Sequence, residues 1–176
     1  MKKIGIIIGA TRPNRIGKPI ADYVLSKAPK DKFSYELIDL KEVNLPLLDE
    51  AYPAAYAKYE HQHTISWSKL VSEYSGFIIV TPEYNASCSA ALKNALDYLY
   101  NEWVNKPVGL IGYGYSASGG RAIMQLRPIL ANLQMKTLAK EVLVNLPTHV
   151  QDNKFTSNET LDKNLATMFS SLEEML

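Results

Sequence analysis

Cysteine is almost absent: Cys88 is the only one among 176 residues. An intrachain disulfide and a cysteine-rich metal site are both excluded, and a reducing compartment, the cytoplasm, fits best. A surplus of charge is missing too, with 19 basic against 18 acidic residues and a formal net charge of +1. Nucleic-acid binding usually calls for a basic face, so no such partner is expected. No segment approaches the ~20 consecutive apolar residues of a membrane helix, so no membrane is expected either. Lys2-Lys3 and the run from Ile4 to Ala10 imitate the start of a signal peptide, but the run is short and Thr11-Arg12-Pro13 follows it without a small-residue cleavage pattern. Internal repeats, low-complexity tracts and dividing linkers are all lacking. Residues 1–176 therefore read as one domain, large enough to bury a substantial core.

What is present is an alternation of apolar patterns. Ile4 to Ile8 is a β-branched run of the kind expected for a strand covered on both faces. Phe33–Leu40, Phe77–Val80, Val108–Ile111 and Lys136–Val144 read as four more strands. Between them the spacing predicts helices starting near Lys18-Pro19, then from about Pro53 to Tyr74 with Ile65, Leu70 and Val71 inward, from Ala90 to Glu102, and from Ile123 to Gln134. Residues 41–52 read as a loop, Gly76 as a helix breaker, and Glu159 to Leu176 as a closing helix. Five strands alternating with helices give a doubly wound parallel sheet. In such sheets ligands lie beyond the carboxyl ends of the strands.

Three unusual loops fall there. Gly9 to Gly17 offers Thr11, Arg12 and Arg15 together with the Ile16 and Gly17 amides at a helix start, which suits a phosphate dianion. A solvated turn is the bland alternative. Gly5 and Gly9 do not complete GxGxxG, and no lysine-serine pair ends the loop as in a P-loop, so a mononucleotide such as FMN fits better than a pyrophosphate. Thr81-Pro82-Glu83-Tyr84-Asn85 leaves the third strand sharply and combines an aromatic surface with donors. Glu83 reads better as an orienting group, capping a helix or pairing with a lysine, than as a general acid. Gly112 to Arg121 brings Tyr113, Gly114, Tyr115, Ser116 and Gly119, with glycines that let the backbone approach a flat ring. A flexible surface loop is its alternative.

These segments resemble the NAD(P)H-dependent FMN reductase family of quinone, azo-dye and chromate reductases, from Lys3 to about Leu143. The first loop is similar to the family's GSxRxxS-or-R phosphate loop. Thr81–Asn85 matches TPEYN, Ala91–Asp97 matches ALKNALD, and Trp103–Gly114 and Gln125-Leu126-Arg127 add further likeness. Ala10 stands where serine is usual, Gly112 where serine is common, and Tyr115 and Ser118 where glycine is frequent.

The resemblance implies a flavodoxin-like five-stranded sheet with helices on both faces, bound FMN, NAD(P)H as co-substrate, and ping-pong transfer of two electrons to a small-molecule acceptor. It gives the phosphate to Thr11, Arg12 and Arg15 and the ring to Pro82–Asn85 and Tyr113–Ser116, with no catalytic side chain. It also implies a homodimer or dimer of dimers, with Trp67, Tyr84 and Trp103 as candidate interface residues and buried packing the alternative for both tryptophans.

A one-electron carrier of flavodoxin type is the main rival, although such carriers are usually strongly acidic. An inactive flavin-binding regulator is another, against which stand Arg12, Asn85 and Gly119. His61 and His63 are metal-like types, but i,i+2 spacing on a helix would separate their rings. Cys88 reads as a small buried residue. Acceptor identity and the choice between NADH and NADPH have no motif.

Overall fold

The computed structural model describes residues 1–152 and 154–176. Five parallel strands form its sheet in the order β2-β1-β3-β4-β5, and a sixth short strand, β6, continues the outer edge of β4. The strands are β1 (Lys2–Ile8), β2 (Phe33–Asp39), β3 (Tyr74–Pro82), β4 (Pro107–Gly114), β5 (Lys136–Thr137) and β6 (Val142–Asn145). This is the flavodoxin strand order, whose switch point lies between β1 and β3. The expected doubly wound sheet is the one observed.

Alternation along the strands sorts the core into two layers. Ile7, Phe77, Ile79, Val108 and Leu110 face α3 (Gln62–Ser72), α4 (Ala90–Asp97) and α5 (Gly120–Asn132). Ile4, Ile6, Ile8, Ile78, Val80 and Ile111 face α1 (Gly17–Lys27) and α7 (Glu159–Glu174). Trp67 and Trp103 are fully buried, meet edge to face at 6.0 Å, and donate their indole N–H groups to the Ala95 and Leu96 carbonyls. Both belong to the core, which removes them as interface candidates.

Several boundaries differ from expectation. The region after β2 begins with a short helix, α2 (Leu40–Val43), not a loop, because Asp39 caps it by accepting from the Lys41 amide. The helix expected from Pro53 starts only at Gln62, after a single 3-10 turn at Ala54–Tyr56. The Glu50 carboxylate takes the Glu60 and His61 amides at 2.9 and 3.1 Å, so that stretch finds its partners outside a helix. Thr64, Trp67 and Val71 form the inward stripe of α3, while Ile65 is 43 % exposed. Gly76 lies inside β3, and α4 ends at Asp97.

The expected fifth strand is split. Arg127 donates to the Leu138 and Ala139 carbonyls and pairs with Glu141 at 2.6 Å, holding the backbone out of the sheet between β5 and β6. After β6 comes an unforeseen excursion: a four-residue helix, α6 (Leu146–His149), and an antiparallel pair, β7 (Val150–Gln151) with β8 (Lys154–Phe155). Asn145 caps α6 and Pro147 occupies its first turn, the pattern that marks a helix start.

Candidate functional site

The first loop is fastened at its base. The Gly9 amide donates to Val80, and Ser89, which caps α4, donates its hydroxyl to the Gly9 carbonyl. From there the chain turns through Asn14 in the left-handed region (φ 54°) and enters α1 at Ile16. Among the described residues no side chain caps α1, so the first-turn amides keep their donor capacity, and the dipole favours an anion there.

Two buried polar atoms beside this loop lack a hydrogen-bond partner among the described residues: Arg15 Nη1 and Tyr113 Oη. Arg15 spends its other terminal nitrogen on Asp39, with the side chains 11 % and 4 % exposed. Sequence reasoning gave Arg15 wholly to a phosphate; the structure gives it first to this ion pair. The parallel register sets Ile8 beside Asp39, and a cation this deep requires a counter-charge.

Tyr113 is not in a loop either. Strand β4 runs on to Gly114, and the ring is buried in the core layer beneath α1. Burial pushes its hydroxyl pKa up, so it stays a neutral donor. A Cβ at Gly17 would lie 2.6 Å from this hydroxyl, which explains glycine at the helix start.

A cleft of about 300 Å³ opens at the carboxyl ends of β3 and β4. Eight of the expected site residues line it: Arg12, Ile16, Pro82, Glu83, Tyr84, Tyr113, Gly114 and Tyr115. Arg12 lies over the Tyr84 ring at 5.6 Å, in cation–π range. Tyr115 stands at the rim, 73 % exposed.

The Glu83 carboxylate is buried and takes both the Arg121 side chain (2.6 Å) and the Arg121 amide at the start of α5 (3.2 Å). Arg121 in turn donates to Ser116 at 3.0 Å. The contacts expected for Glu83, a helix-start amide and a cation, are present, with an arginine in place of a lysine.

Other expected residues lie beside the cleft. Thr11 faces a separate hollow with Lys41 and Asn94. Asn85 occupies the exposed turn between Tyr84 and Ser87, at φ 49°. Ser116 serves Arg121. Gly119, at φ 90°, packs against the backbone of Gly112 and Tyr113 and starts α5. Sequence reasoning missed Asn14, Leu146, Pro147 and Val150, which complete the lining. The cap-and-proline signal at Asn145–Pro147 was the available clue.

A larger hollow, about 480 Å³, borders Met1 and Phe33 at the opposite ends of the strands, where doubly wound sheets do not bind ligands.

The spacing argument about His61 and His63 does not hold. His61 precedes the helix in extended conformation, and the two rings stack at 5.2 Å. His63 is paired with Asp49 at 2.9 Å, and among the described residues no three His, Cys, Asp or Glu side chains form a metal-holding group. Cys88 is buried, and burial pushes its thiol pKa up.

A strand order of 2-1-3-4-5, with a cleft where the loops after β1, β3 and β4 converge, defines a flavodoxin-like nucleotide-binding protein. Residues 2–148 match the model of one family, NADPH-dependent FMN reductase, and the chain belongs to that family. It is thereby an oxidoreductase with FMN as cofactor and NAD(P)H as co-substrate.

An NAD(P)H-dependent FMN reductase from a Nectria species is 38 % identical over 84 % of this chain and 76 % of its own. A 2-hydroxy-1,4-benzoquinone reductase from a Burkholderia species is 33 % identical over 82 % of this chain and 75 % of its own. The flavoenzyme NAD(P)H:(acceptor) oxidoreductase FerB of Paracoccus denitrificans shares the fold, with a TM-score of 0.79 over 99 % of each chain at 18 % identity.

Proposed function

We propose that this chain uses its cleft to oxidise NAD(P)H and deliver two electrons to small acceptors such as quinones, azo compounds or free flavin, nucleotide and acceptor entering in turn. One observation supports the reading above others: a cleft beside two buried donors and a helix start that lack partners among the described residues, all at the switch point of the sheet. The chemistry of the donor set fits FMN. Arg15 Nη1, Tyr113 Oη and the first amides of α1 would take the terminal phosphate. Pro82–Tyr84 and Tyr113–Tyr115 would hold the ring.

The bound flavin supplies hydride acceptance and electron delivery. The protein binds, orients and excludes water. Glu83 fixes the spacing of the two loops that border the ring. Arg12, parked on Tyr84, places a positive charge at the cleft, where it favours electron-rich or anionic edges of an entering molecule. No side chain is assigned as acid or base. The functional unit is a homodimer, with Tyr84 still available as an interface residue, and the protein works in the cytoplasm.

The test is reconstitution. Purified chain titrated with FMN should quench flavin fluorescence to a one-to-one endpoint, and the holoprotein should oxidise NADPH with a quinone in parallel-line initial-rate kinetics. Protein that neither retains nor takes up FMN would remove the proposal. Intersecting lines would remove the in-turn order alone, and a monomer by light scattering the dimer alone.

A further inference from the structure

The apolar residues that line the cleft after β6 have no task in holding the cofactor under the proposed function. Leu146, Pro147 and Val150 form an apolar wall supplied by α6 and the start of β7, on the same cleft as Arg12 and Tyr84. This wall is built in at both ends. At one end the Asn145 amide group donates to the Tyr115 carbonyl (2.9 Å) and the Ser118 hydroxyl (3.2 Å), and its oxygen accepts from the Thr148 amide (3.2 Å) and hydroxyl (2.9 Å). One side chain thus ties the wall to the exposed rim tyrosine of the third loop. At the other end His149, buried beneath β8, exchanges hydrogen bonds with the Thr156 backbone at 2.8 and 2.9 Å. Phe155 packs on Tyr23 of α1 with ring centres 5.0 Å apart.

We propose that this wall selects the electron acceptor, with Leu146 and Val150 as specificity-determining contacts and Asn145 as the residue that positions them. The inference rests on reading the cleft as the reductase site. Its ligand is the apolar face of a planar acceptor. An aromatic ring gains by burying area against Leu146 and Val150, whereas a small hydrated ion gains nothing there. The match to the family model covers residues 2–148, which includes Asn145, Leu146 and Pro147 and stops short of Val150.

The experiment uses FMN-loaded protein, NADPH, and two acceptors: an uncharged naphthoquinone, which takes both electrons, and hexacyanoferrate(III), two ions of which take one electron each. Loss of a single methylene from an apolar contact typically costs ~10-fold or more in discrimination, and leucine to alanine removes more than one. For Leu146→Ala the ratio of kcat/KM for the quinone to that for the inorganic ion should fall roughly tenfold. Val150→Thr, nearly equal in volume at a half-buried position, should lower the ratio in the same direction and keeps the test valid if the alanine variant fails to fold. Asn145→Asp keeps the acceptor that caps α6 but loses both donors to the third loop. It should raise KM for the quinone with little change in kcat.

The FMN dissociation constant is measured alongside and should stay at the wild-type value. An unchanged ratio in every variant that folds overturns the proposal. So does a loss of FMN affinity equal to the fall in the ratio, because the wall would then belong to the cofactor. Failure of the wild-type chain to bind FMN is a separate outcome and refutes the proposed function itself.

Discussion

Replacing Tyr113 with phenylalanine is expected to move two measurements in opposite directions. In the free protein the Tyr113 hydroxyl is buried without a hydrogen-bond partner among the described residues. A buried polar group left unsatisfied costs ~1–3 kcal/mol, so deleting it should stabilise the apoprotein. The vacated space beside Gly17 offsets part of this gain, which leaves about 1–2 kcal/mol. For a chain of this length each kcal/mol shifts Tm by ~2–4 °C, so the apoprotein should melt about 2–8 °C higher.

FMN affinity should change the other way. A hydrogen bond to a charged phosphate contributes ~1.5–3 kcal/mol, and its loss corresponds to roughly 10- to 150-fold weaker binding. Scanning calorimetry of apoprotein and a fluorescence titration with FMN read both effects from one preparation. If Tyr113→Phe lowers the apoprotein Tm and leaves FMN affinity unchanged, the hydroxyl has a structural partner and is not a phosphate donor.

Other perturbations have equally definite outcomes. Asp39→Ala strands the Arg15 guanidinium in the interior and should destabilise apoprotein by ~3–5 kcal/mol in urea titrations, with part of that recovered on adding FMN; a loss below ~1 kcal/mol would mean the pair behaves as a solvated one. Gly119→Ala would place a Cβ 2.2 Å from the Tyr113 amide nitrogen at a backbone φ of 90°, and no side-chain motion relieves a clash with backbone. It should abolish FMN binding and lower Tm sharply; wild-type values would contradict the geometry.

Lys106 donates to the Val71 carbonyl at 2.8 Å over the Phe77 ring, and burial depresses its pKa from 10.5 to about 8. Below about pH 8 both folded and unfolded chains carry that proton and the burial penalty is complete. Between about 8 and 10.5 the unfolded chain still holds a proton that the folded one has released, so this lysine makes stability rise with pH. Urea midpoints across that window should climb less steeply in Lys106→Met; identical slopes would refute the assignment.

How much of this was legible in the sequence depends on the range over which each feature is encoded. Buried parallel strands are spelled locally, as unbroken runs such as Ile4–Ile8 and Phe77–Val80, and their alternation with helices carried the fold. The loop after β3 was partly legible for the same reason, since Pro82 turns the chain; the Arg121 partner of the buried Glu83 carboxylate lies 38 residues on, half exposed at the start of α5. Glycines misled at β4. Gly112 and Gly114 read as loop residues, yet hydrogen bonding to β3 and β6 keeps this stretch extended and turns Tyr113 from a surface ring into a buried donor. The Arg15–Asp39 pair joins residues 24 apart through the β1–β2 register, which no local pattern announces.

The wall at Leu146–Val150 lies further still from legibility. Its side chains acquire meaning only when Asn145 is seen to reach back 30 residues to the Tyr115 carbonyl. The residues proposed to recognise a phosphate and a flat ring fall in short motifs at the strand ends, where turns and helix starts have their own local spelling. The residues proposed to choose among acceptors are ordinary apolar side chains, and only their placement against Arg12 and Tyr84 sets them apart.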